Sequence, residues 1–171
     1  MGNLPIKAIA EEFTKEPFYL IQQNGNNKRY VVSLKNKMSI RILLAGFINQ
    51  SEDLVEVKIR NVENEKRPME YSGIVNKSKL HSLMTEHESV IFHHGYHDFM
   101  IRNPYTGDYV AFDEHGLVFI YSLEDYSDTL TNLQAAYREN EKLIFEFRHM
   151  HYSLPEGDKK LQKLINDLEL K

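Results

Sequence analysis

The sequence predicts an α+β fold: a largely antiparallel sheet with about four helices packed mainly on one face. Residues 96–122 contain three short β-rich runs separated by two turns that each contain a glycine, which is typical of a three-stranded meander. Four other segments place apolar residues at helical spacing. No internal repeat and no proline- or glycine-rich linker interrupts the chain. Residues 1–171 are therefore expected to form a single domain.

In the first half of the chain, the pattern predicts one helix followed by four strands. Pro5 stands before apolar residues at helical spacing, which is typical of a short amphipathic helix. Asn24 and Gly25 lie between two β-rich runs, and this arrangement favours a hairpin. The last run alternates apolar and charged residues, as in a strand with one buried and one solvated face. The expected elements are a helix with Ile6, Ile9, Ala10 and Phe13 on one face, which Glu16 and Pro17 end, and strands at 18–21, 29–34, 39–44 and 55–60.

The second half of the chain is expected to hold the meander and three helices. Residues 117–121 are apolar at every position, which predicts a central strand buried on both sides. An acidic segment at 122–125 indicates the start of a helix, because carboxylates are stabilised at helix N-termini. The expected elements are meander strands at 98–103, 108–112 and 117–121, helices at 76–93, 126–137 and 161–168, and a strand at 143–152.

The composition is that of an ordinary globular protein, with 42% hydrophobic and 27% charged residues. The chain contains no cysteine, which excludes a disulfide framework, a thiolate zinc site and a cysteine nucleophile. No stretch approaches the roughly 18 apolar residues that span a bilayer. The N-terminal residues lack the apolar core of a signal peptide. Together these features favour a cytoplasmic location.

Charge is distributed unevenly along a chain whose net charge is −4. Residues 28–79 contain eleven basic and six acidic residues, a net charge of +5. Residues 108–141 contain one basic and eight acidic residues, a net charge of −7. Such an acidic segment can attract a basic partner, or it can be a solvated face that keeps the protein soluble. The basic segment is interleaved with acids and carries no recognition motif, so nucleic-acid binding is not expected.

No complete catalytic motif is found in the sequence. There is no Gly-x-Ser-x-Gly elbow, no phosphate-binding glycine loop and no dinucleotide fingerprint. Adjacent acids such as Asp113 and Glu114 fall at turns, where ordinary turn chemistry explains them. We therefore assign no catalytic residue and no cofactor, and we expect a function other than catalysis.

The histidines indicate an alternative function for this protein, that of a metal-binding domain or a metal-dependent enzyme. His149 and His151 are two residues apart in a β-like run, so their side chains are expected to point the same way. With Glu156, or with one further histidine, they could form a metal site. The opposing interpretation is that they are structural histidines, each with one hydrogen bond. The candidates for the further ligand are His93, His94 and His97.

Residues 113–121, Asp-Glu-His-Gly-Leu-Val-Phe-Ile-Tyr, form a glycine-containing strand that precedes an acidic helix and a leucine-rich terminal helix. In this arrangement the C-terminal third of the chain resembles the small α+β immunity proteins of bacterial polymorphic toxin systems. The resemblance implies a protein that neutralises a basic toxin domain, often a nuclease, by occluding it. It provides no motif from which a functional residue can be transferred. A regulatory or phage accessory role is compatible with the same sequence.

Acidic residues and tyrosines are concentrated in the same part of the chain. Tyrosine offers a large contact area with a polar tip, which suits protein interfaces, although it also fills strand surfaces. The sequence therefore favours protein–protein recognition through an acidic, tyrosine-rich surface. The expected partner-binding residues are Asp108, Asp113, Glu114, Glu124, Asp125 and Asp128, with Tyr105, Tyr109 and Tyr126 as aromatic anchors.

Overall fold

The computed structural model describes residues 4–13, 16–24, 27–63 and 67–171. Within these residues it shows the predicted α+β fold, in which a large and mostly antiparallel sheet packs against helices. The strands are β1 (Ala8–Ile9), β2 (Phe18–Asn24), β3 (Asn27–Ser33), β4 (Leu54–Asn61), β5 (Met69–Asn76), β6 (His97–Arg102), β7 (Tyr109–Phe112), β8 (Leu117–Ser122), β9 (Ala136–Tyr137) and β10 (Met150–His151). Eight of them form one sheet in the order β5-β4-β6-β7-β8-β3-β2-β9, whereas β1 pairs with β10.

The predicted meander is confirmed and lies in the middle of the large sheet. Strands β6, β7 and β8 are neighbours and pair antiparallel. The two connecting turns contain Gly107 and Gly116, whose φ angles are +80° and +81°. Glycine reaches positive φ without the steric cost that a Cβ atom imposes, so these two glycines allow both turns to close.

The predicted hairpin and the predicted strand at 55–60 are also confirmed. Strands β2 and β3 form an antiparallel hairpin, and residues 25 and 26 of its predicted turn lie outside the described residues. In β4 the side chains of Val55, Val57 and Ile59 are fully buried, as the alternation predicts. Strand β5 was not predicted, because its exposed residues alternate too weakly to signal a strand.

Helices cover one face of the sheet and form the main core with it. Ile40, Leu44, Val57, Phe99 and Leu164 belong to one buried cluster that joins helices and strands. No helix in the described part of the chain is long and apolar enough to cross a bilayer. The helices are α1 (Lys37–Gln50), α2 (Lys77–Glu86), α3 (Glu88–His93), α4 (Ser127–Asn132) and α5 (Gly157–Asp167).

The strand predicted at 39–44 is wrong, because these residues belong to α1. The side chain of Asn36 caps this helix by accepting a hydrogen bond from the backbone nitrogen of Ser39 at 2.8 Å. The apolar residues continue beyond position 44 to Phe47 and Ile48, and together they bury one helical face. The N-terminal helix prediction is also wrong, because Lys7 has a φ angle of +55° and residues 8–9 form β1.

The remaining differences concern the second half of the chain. The strand predicted at 143–152 is reduced to β10, and Ile144–Glu146 instead forms a 3-10 turn over a second buried cluster. The helix predicted at 126–137 ends at Asn132, and its last residues form β9, which pairs parallel with β2. The helix predicted at 76–93 is divided at His87 into α2 and α3. The terminal helix is confirmed as α5.

Three separate segments of the chain meet at Gly95. The backbone nitrogen of Gly95 donates to the carbonyl oxygen of Tyr152 at 2.9 Å, and the nitrogen of Tyr152 donates to the carbonyl oxygen of Lys7 at 2.6 Å. The Lys7 side chain is fully buried, and its Nζ donates to the carbonyl oxygen of His97 at 2.7 Å. Burial lowers the pKa of Lys7 to about 8. The N-terminal and C-terminal segments are thus held against the sheet at one point.

The edge strand β5 is partly covered by the last residues of the chain. The backbone groups of Ser72 and Lys171 exchange two hydrogen bonds of 3.0 and 3.1 Å. Leu170 is buried in the main core beside them. This pairing satisfies edge groups of β5 that would otherwise face solvent.

We expect the substitution Gly95→Ala to lower the free energy of unfolding by about 1–3 kcal/mol or more, the usual cost of overpacking. The added methyl group would overlap the carbonyl oxygen of Lys7 and lie 3.1 Å from the backbone nitrogen of Tyr152. Gly46→Ala is the matched control, because its methyl group meets no atom within 4 Å and α1 favours alanine by about 0.5–1 kcal/mol. Urea unfolding measures the stability of both variants. An unchanged stability of Gly95→Ala would show that the segments around Lys7 and Tyr152 can move away from Gly95 without a cost in free energy.

Candidate functional site

A hollow of about 390 Å³ lies where the turn between β6 and β7 meets the segment after β8. Four of the predicted partner-binding residues line it, and three of these supply carboxylates. None of the described residues that line the hollow is basic. The hollow is therefore a negatively charged concavity whose carboxylates come from two separate segments, while the C-terminal end of α1 also contributes to its lining. The four residues are Asp108, Glu124, Asp125 and Tyr126.

The turn between β6 and β7 presents one side of the hollow. The side-chain oxygen of Asn103 accepts hydrogen bonds from the backbone nitrogens of Tyr105 at 2.9 Å and Thr106 at 3.3 Å. The Thr106 hydroxyl donates to the Asp108 carboxylate at 3.0 Å. Tyr105 is 70% exposed at the tip of this turn. The hydrogen bonds hold Tyr105 and Asp108 in a fixed arrangement at the surface.

Asp125 organises the other side of the hollow. Its carboxylate accepts hydrogen bonds from Lys28 Nζ at 2.8 Å, the Tyr30 hydroxyl at 3.1 Å and the backbone nitrogen of Ser127 at 2.9 Å. The Lys28 ammonium, followed by the Ser127 contacts, holds the pKa of Asp125 well below its usual range. Lys28 belongs to the basic segment, so part of the charge asymmetry along the sequence cancels in the fold.

Glu124 and Asp128 flank Asp125 and remain available to solvent. Both residues are exposed, and neither forms an ion pair with another residue that the structure describes. Their charges are therefore less compensated than that of Asp125. Asp108 and Glu124 line the hollow, and the exposed Tyr105 and Asp128 are adjacent in sequence to its lining residues Thr106 and Thr129. We refer to these four residues as the rim of the hollow.

Tyr126 contacts the protein core and offers little surface to a partner. It is 5% exposed, and its hydroxyl donates to the side-chain oxygen of Gln50 on α1 at 3.1 Å. Its ring lies 5.9 Å from the ring of Tyr30. Burial raises the pKa of Tyr126 to about 12. Tyr126 therefore fixes the floor of the hollow to α1.

Three of the predicted partner-binding residues lie away from the hollow. The Asp113 carboxylate faces inward and accepts from the backbone nitrogens of Leu117 at 2.7 Å and His115 at 3.0 Å, which closes the turn between β7 and β8. Glu114 is half-buried beside it, and burial raises the pKa of its carboxyl group. Tyr109 stacks on Tyr121 with ring centroids 4.3 Å apart. These residues do not join the acidic hollow in one surface.

The structure brings His149 and His151 together and adds a third histidine that the sequence did not indicate. Their ring centroids are 5.2 Å apart, and the ring of His115 lies 5.0 Å from each. His115 comes from the turn between β7 and β8, far away in sequence, so no local spacing could have indicated it. Glu156, the predicted third ligand, is not in this group and instead contacts Lys159 at 3.2 Å.

The other candidate histidines are buried structural residues. His93 Nδ1 is 2.8 Å from the carbonyl oxygen of Pro5, and His94 Nε2 is 3.2 Å from the Asp158 carboxylate. His97 is fully buried, and burial holds its pKa well below the usual value, so its ring is neutral. None of the three joins His149 and His151 in a group of potential ligands within the described chain.

A second group of potential ligands consists of Glu86, His87 and Asp167. The ammonium group of Lys163 lies 2.9 Å from the Glu86 carboxylate and 2.6 Å from the Asp167 carboxylate. His87 Nε2 also contacts the Asp167 carboxylate at 2.8 Å. These side chains satisfy one another as an ion-pair network between α2 and α5, so we interpret the group as structural.

Comparison of the chain with protein-family models, with curated proteins and with solved structures found no match.

Asp125→Asn is expected to lower the melting temperature at pH 7. The pKa of Asp125 in the fold lies below its ordinary 3.8, so the carboxylate stabilises the protein above about pH 4. This contribution is lost as the pH falls through the folded-state pKa, and the two melting curves should converge in acid. Asp128→Asn, which removes an exposed carboxylate without an ion-pair partner among the described residues from the first turn of α4, should lower the melting temperature much less. A constant difference between Asp125→Asn and the unmodified protein down to pH 2 would contradict the assignment.

Proposed function

We propose that this protein is a binding protein that recognises a basic protein domain through the acidic hollow and its rim. The observation that supports this proposal best is the convergence of carboxylates from two separate segments on one concavity with no basic residue in its described lining. The proposed contact surface consists of Tyr105, Asp108, Glu124, Asp125 and Asp128. It omits the inward-facing Asp113 and Tyr126, and also Glu114 and Tyr109, which lie elsewhere.

The chemistry of the hollow suits a cationic side chain of a partner. A guanidinium group presents planar donors that pair with carboxylates in a bidentate manner, and such charge-assisted hydrogen bonds are among the strongest in proteins. Asp108 and Glu124 stand on opposite segments of the same hollow, so an inserted arginine or lysine could contact both sides. The exposed ring of Tyr105, which precedes the lining residue Thr106 in the same turn, would add apolar contact area.

The electrostatics of the hollow favour charge recognition over proton transfer. A general base works best when its pKa is near the working pH, whereas the pKa of Asp125 is held below its usual range. A fixed negative charge attracts a basic domain from a distance and accelerates its association. In the specific form that we propose, the partner is a basic toxin domain, often a nuclease. The protein would occlude the domain's active surface in the bacterial cytoplasm.

The proposal is tested by affinity capture from a lysate of the host with three forms of the protein. The first is unmodified, the second carries Asp108→Lys, Glu124→Lys and Asp128→Lys, and the third carries Glu11→Lys, Glu12→Lys and Glu139→Lys. The second and third forms have the same change in net charge, but only the second alters the hollow. A stoichiometric basic partner should bind the first and third forms and be lost from the second.

The captured partner, once purified, allows the affinities to be compared directly. We expect the hollow variant to bind at least about 100-fold more weakly, because like charges brought together in an interface cost several kcal/mol and 1.4 kcal/mol is tenfold. The association rate of the unmodified protein should fall as salt rises. Equal affinity for the hollow variant and for the control variant would place the binding surface elsewhere and overturn the assignment.

A further inference from the structure

We propose that His115, His149 and His151 bind one divalent transition-metal ion of the zinc type. This site is separate from the acidic hollow and does not depend on the function proposed for it. One ring nitrogen from each histidine lies within 4.8 Å of the others, and no other described residue belongs to this group. Imidazole is a preferred ligand of zinc, copper, nickel and iron, so the donor set selects this class of ion over calcium or magnesium.

Hydrogen bonds fix the tautomer of all three rings in the form that a metal requires. The Nδ1 atom of His115 is 3.0 Å from the Asp113 carboxylate, that of His149 is 2.9 Å from the carbonyl oxygen of Phe147, and that of His151 is 3.2 Å from the carbonyl oxygen of Glu114. Carboxylate and carbonyl oxygens accept but do not donate, so each Nδ1 carries the hydrogen. In the neutral form of each ring, Nε2 is therefore left with a free lone pair.

This pattern is the one found around metal-binding histidines in general. A histidine ligand almost always donates its second N–H group to a carboxylate or backbone carbonyl, which orients the ring and raises its basicity. A cluster of histidines packed only for structural reasons has no need to anchor the same nitrogen on every ring. The shared anchoring is thus an observation independent of the closeness of the rings.

The spacing of the nitrogens requires a small closure on binding. Zinc–nitrogen bonds of about 2.0–2.1 Å in a tetrahedral site place the ligand nitrogens about 3.3 Å apart. The nitrogens of the cluster lie within 4.8 Å of one another, so the rings need to approach by up to about 1.5 Å. All three rings are half-buried, and their anchors are at turns and at the two-residue strand β10, where such movement costs little.

Three protein ligands leave one coordination position for water or for an added ligand. Structural zinc sites are usually closed by four protein ligands, whereas sites with three keep an open position. The three rings are partly accessible to solvent, and the partly exposed Phe145 contacts His115 in an edge-to-face arrangement at 5.7 Å. The proposed site is therefore partly accessible to solvent and lies beside an apolar side chain.

A bound ion would also join two parts of the fold. His115 belongs to the turn between β7 and β8, whereas His149 and His151 belong to the C-terminal segment that pairs with β1 through β10. The three ligands meet because of folding, so the ion is expected to bind the folded chain more tightly than the unfolded one. Metal binding is consequently expected to stabilise the protein as the concentration of free ion rises.

The test is a titration of the untagged protein with Zn²⁺ by calorimetry and with Co²⁺ by visible absorption. We expect one equivalent of either ion to bind, with a cobalt spectrum of the low-symmetry, four-coordinate type. The triple variant His115→Ala, His149→Ala and His151→Ala should lose this binding. His81→Ala, which removes an unrelated histidine on α2, should retain it. Binding of equal strength in the triple variant would overturn the proposal.

Asp113→Asn gives a sharper test because it changes the tautomer and keeps the ligands. The Oδ1 atom of Asp113 accepts two backbone N–H groups, so in the variant the amide oxygen stays there and the amide NH₂ group faces His115 Nδ1. The NH₂ group donates, which moves the ring hydrogen of His115 to Nε2 and blocks this ligand. We expect affinity for Zn²⁺ to fall about 10–100-fold, the usual effect of removing such an anchor.

A measurement on the unmodified protein decides the case even if the variants fold poorly. Nitrogen-15 NMR of the histidine rings reports the tautomer and the coordinated nitrogen of each residue. One equivalent of Zn²⁺ should shift the Nε2 signals of His115, His149 and His151 and leave those of His81 and His97 unchanged. Shifts confined to other histidines, or no shift at one equivalent, would overturn the proposal.

Discussion

The fold depends on the burial of Lys7 at the point where the N-terminal and C-terminal segments cross the chain at Gly95. An ammonium group without water is costly to bury, and here carbonyl oxygens and the face of Phe112, 4.3 Å from Nζ, compensate for the loss of hydration. The cost appears in the lowered pKa of Lys7. Because the backbone of Lys7 also binds Tyr152, this one residue fixes β1 against β10. The position of β10 in turn places His149 and His151 beside His115.

The elements that were predicted correctly are those whose pattern is local and long enough to be unambiguous. The alternation in β4 fits only the two-residue period of a strand, and the apolar stripe of α5 fits only the period of a helix. The two glycines of the meander identify its turns. Residues 39–44 fit two periods at once, since apolar positions 40, 42 and 44 alternate while 40, 43 and 44 share a helical face. The helix prevailed because it buries Phe47 and Ile48 as well, although it leaves Ile42 51% exposed. A fully buried lysine leaves no signal in the sequence, so the N-terminal segment could not be predicted.

The candidate sites show the same division between local and distant information. Sequence composition indicated the acidic region, and Asp108, Glu124 and Asp125 do converge on one hollow. The composition could not distinguish these residues from Asp113, whose carboxylate accepts hydrogen bonds from the backbone of its own turn. The spacing of His149 and His151 correctly predicted that they lie together, because the side chains of residues two apart on an extended chain point the same way. The proximity of His115 to these two residues depends on where β10 lies relative to the turn between β7 and β8, which is a property of the tertiary structure alone.

The pairing of Ser72 with Lys171 has a consequence for how copies of this chain behave towards one another. Strand β5 ends the large sheet, and a strand edge with free backbone groups is a template onto which another polypeptide can add. Leu170 and Lys171 occupy part of that template from within the molecule. Proteolytic clipping that removed them would uncover the edge beside the exposed side chains of Met69 and Ile74. Leu170 and Lys171 thus shorten the stretch of free sheet edge onto which a strand of another molecule can add.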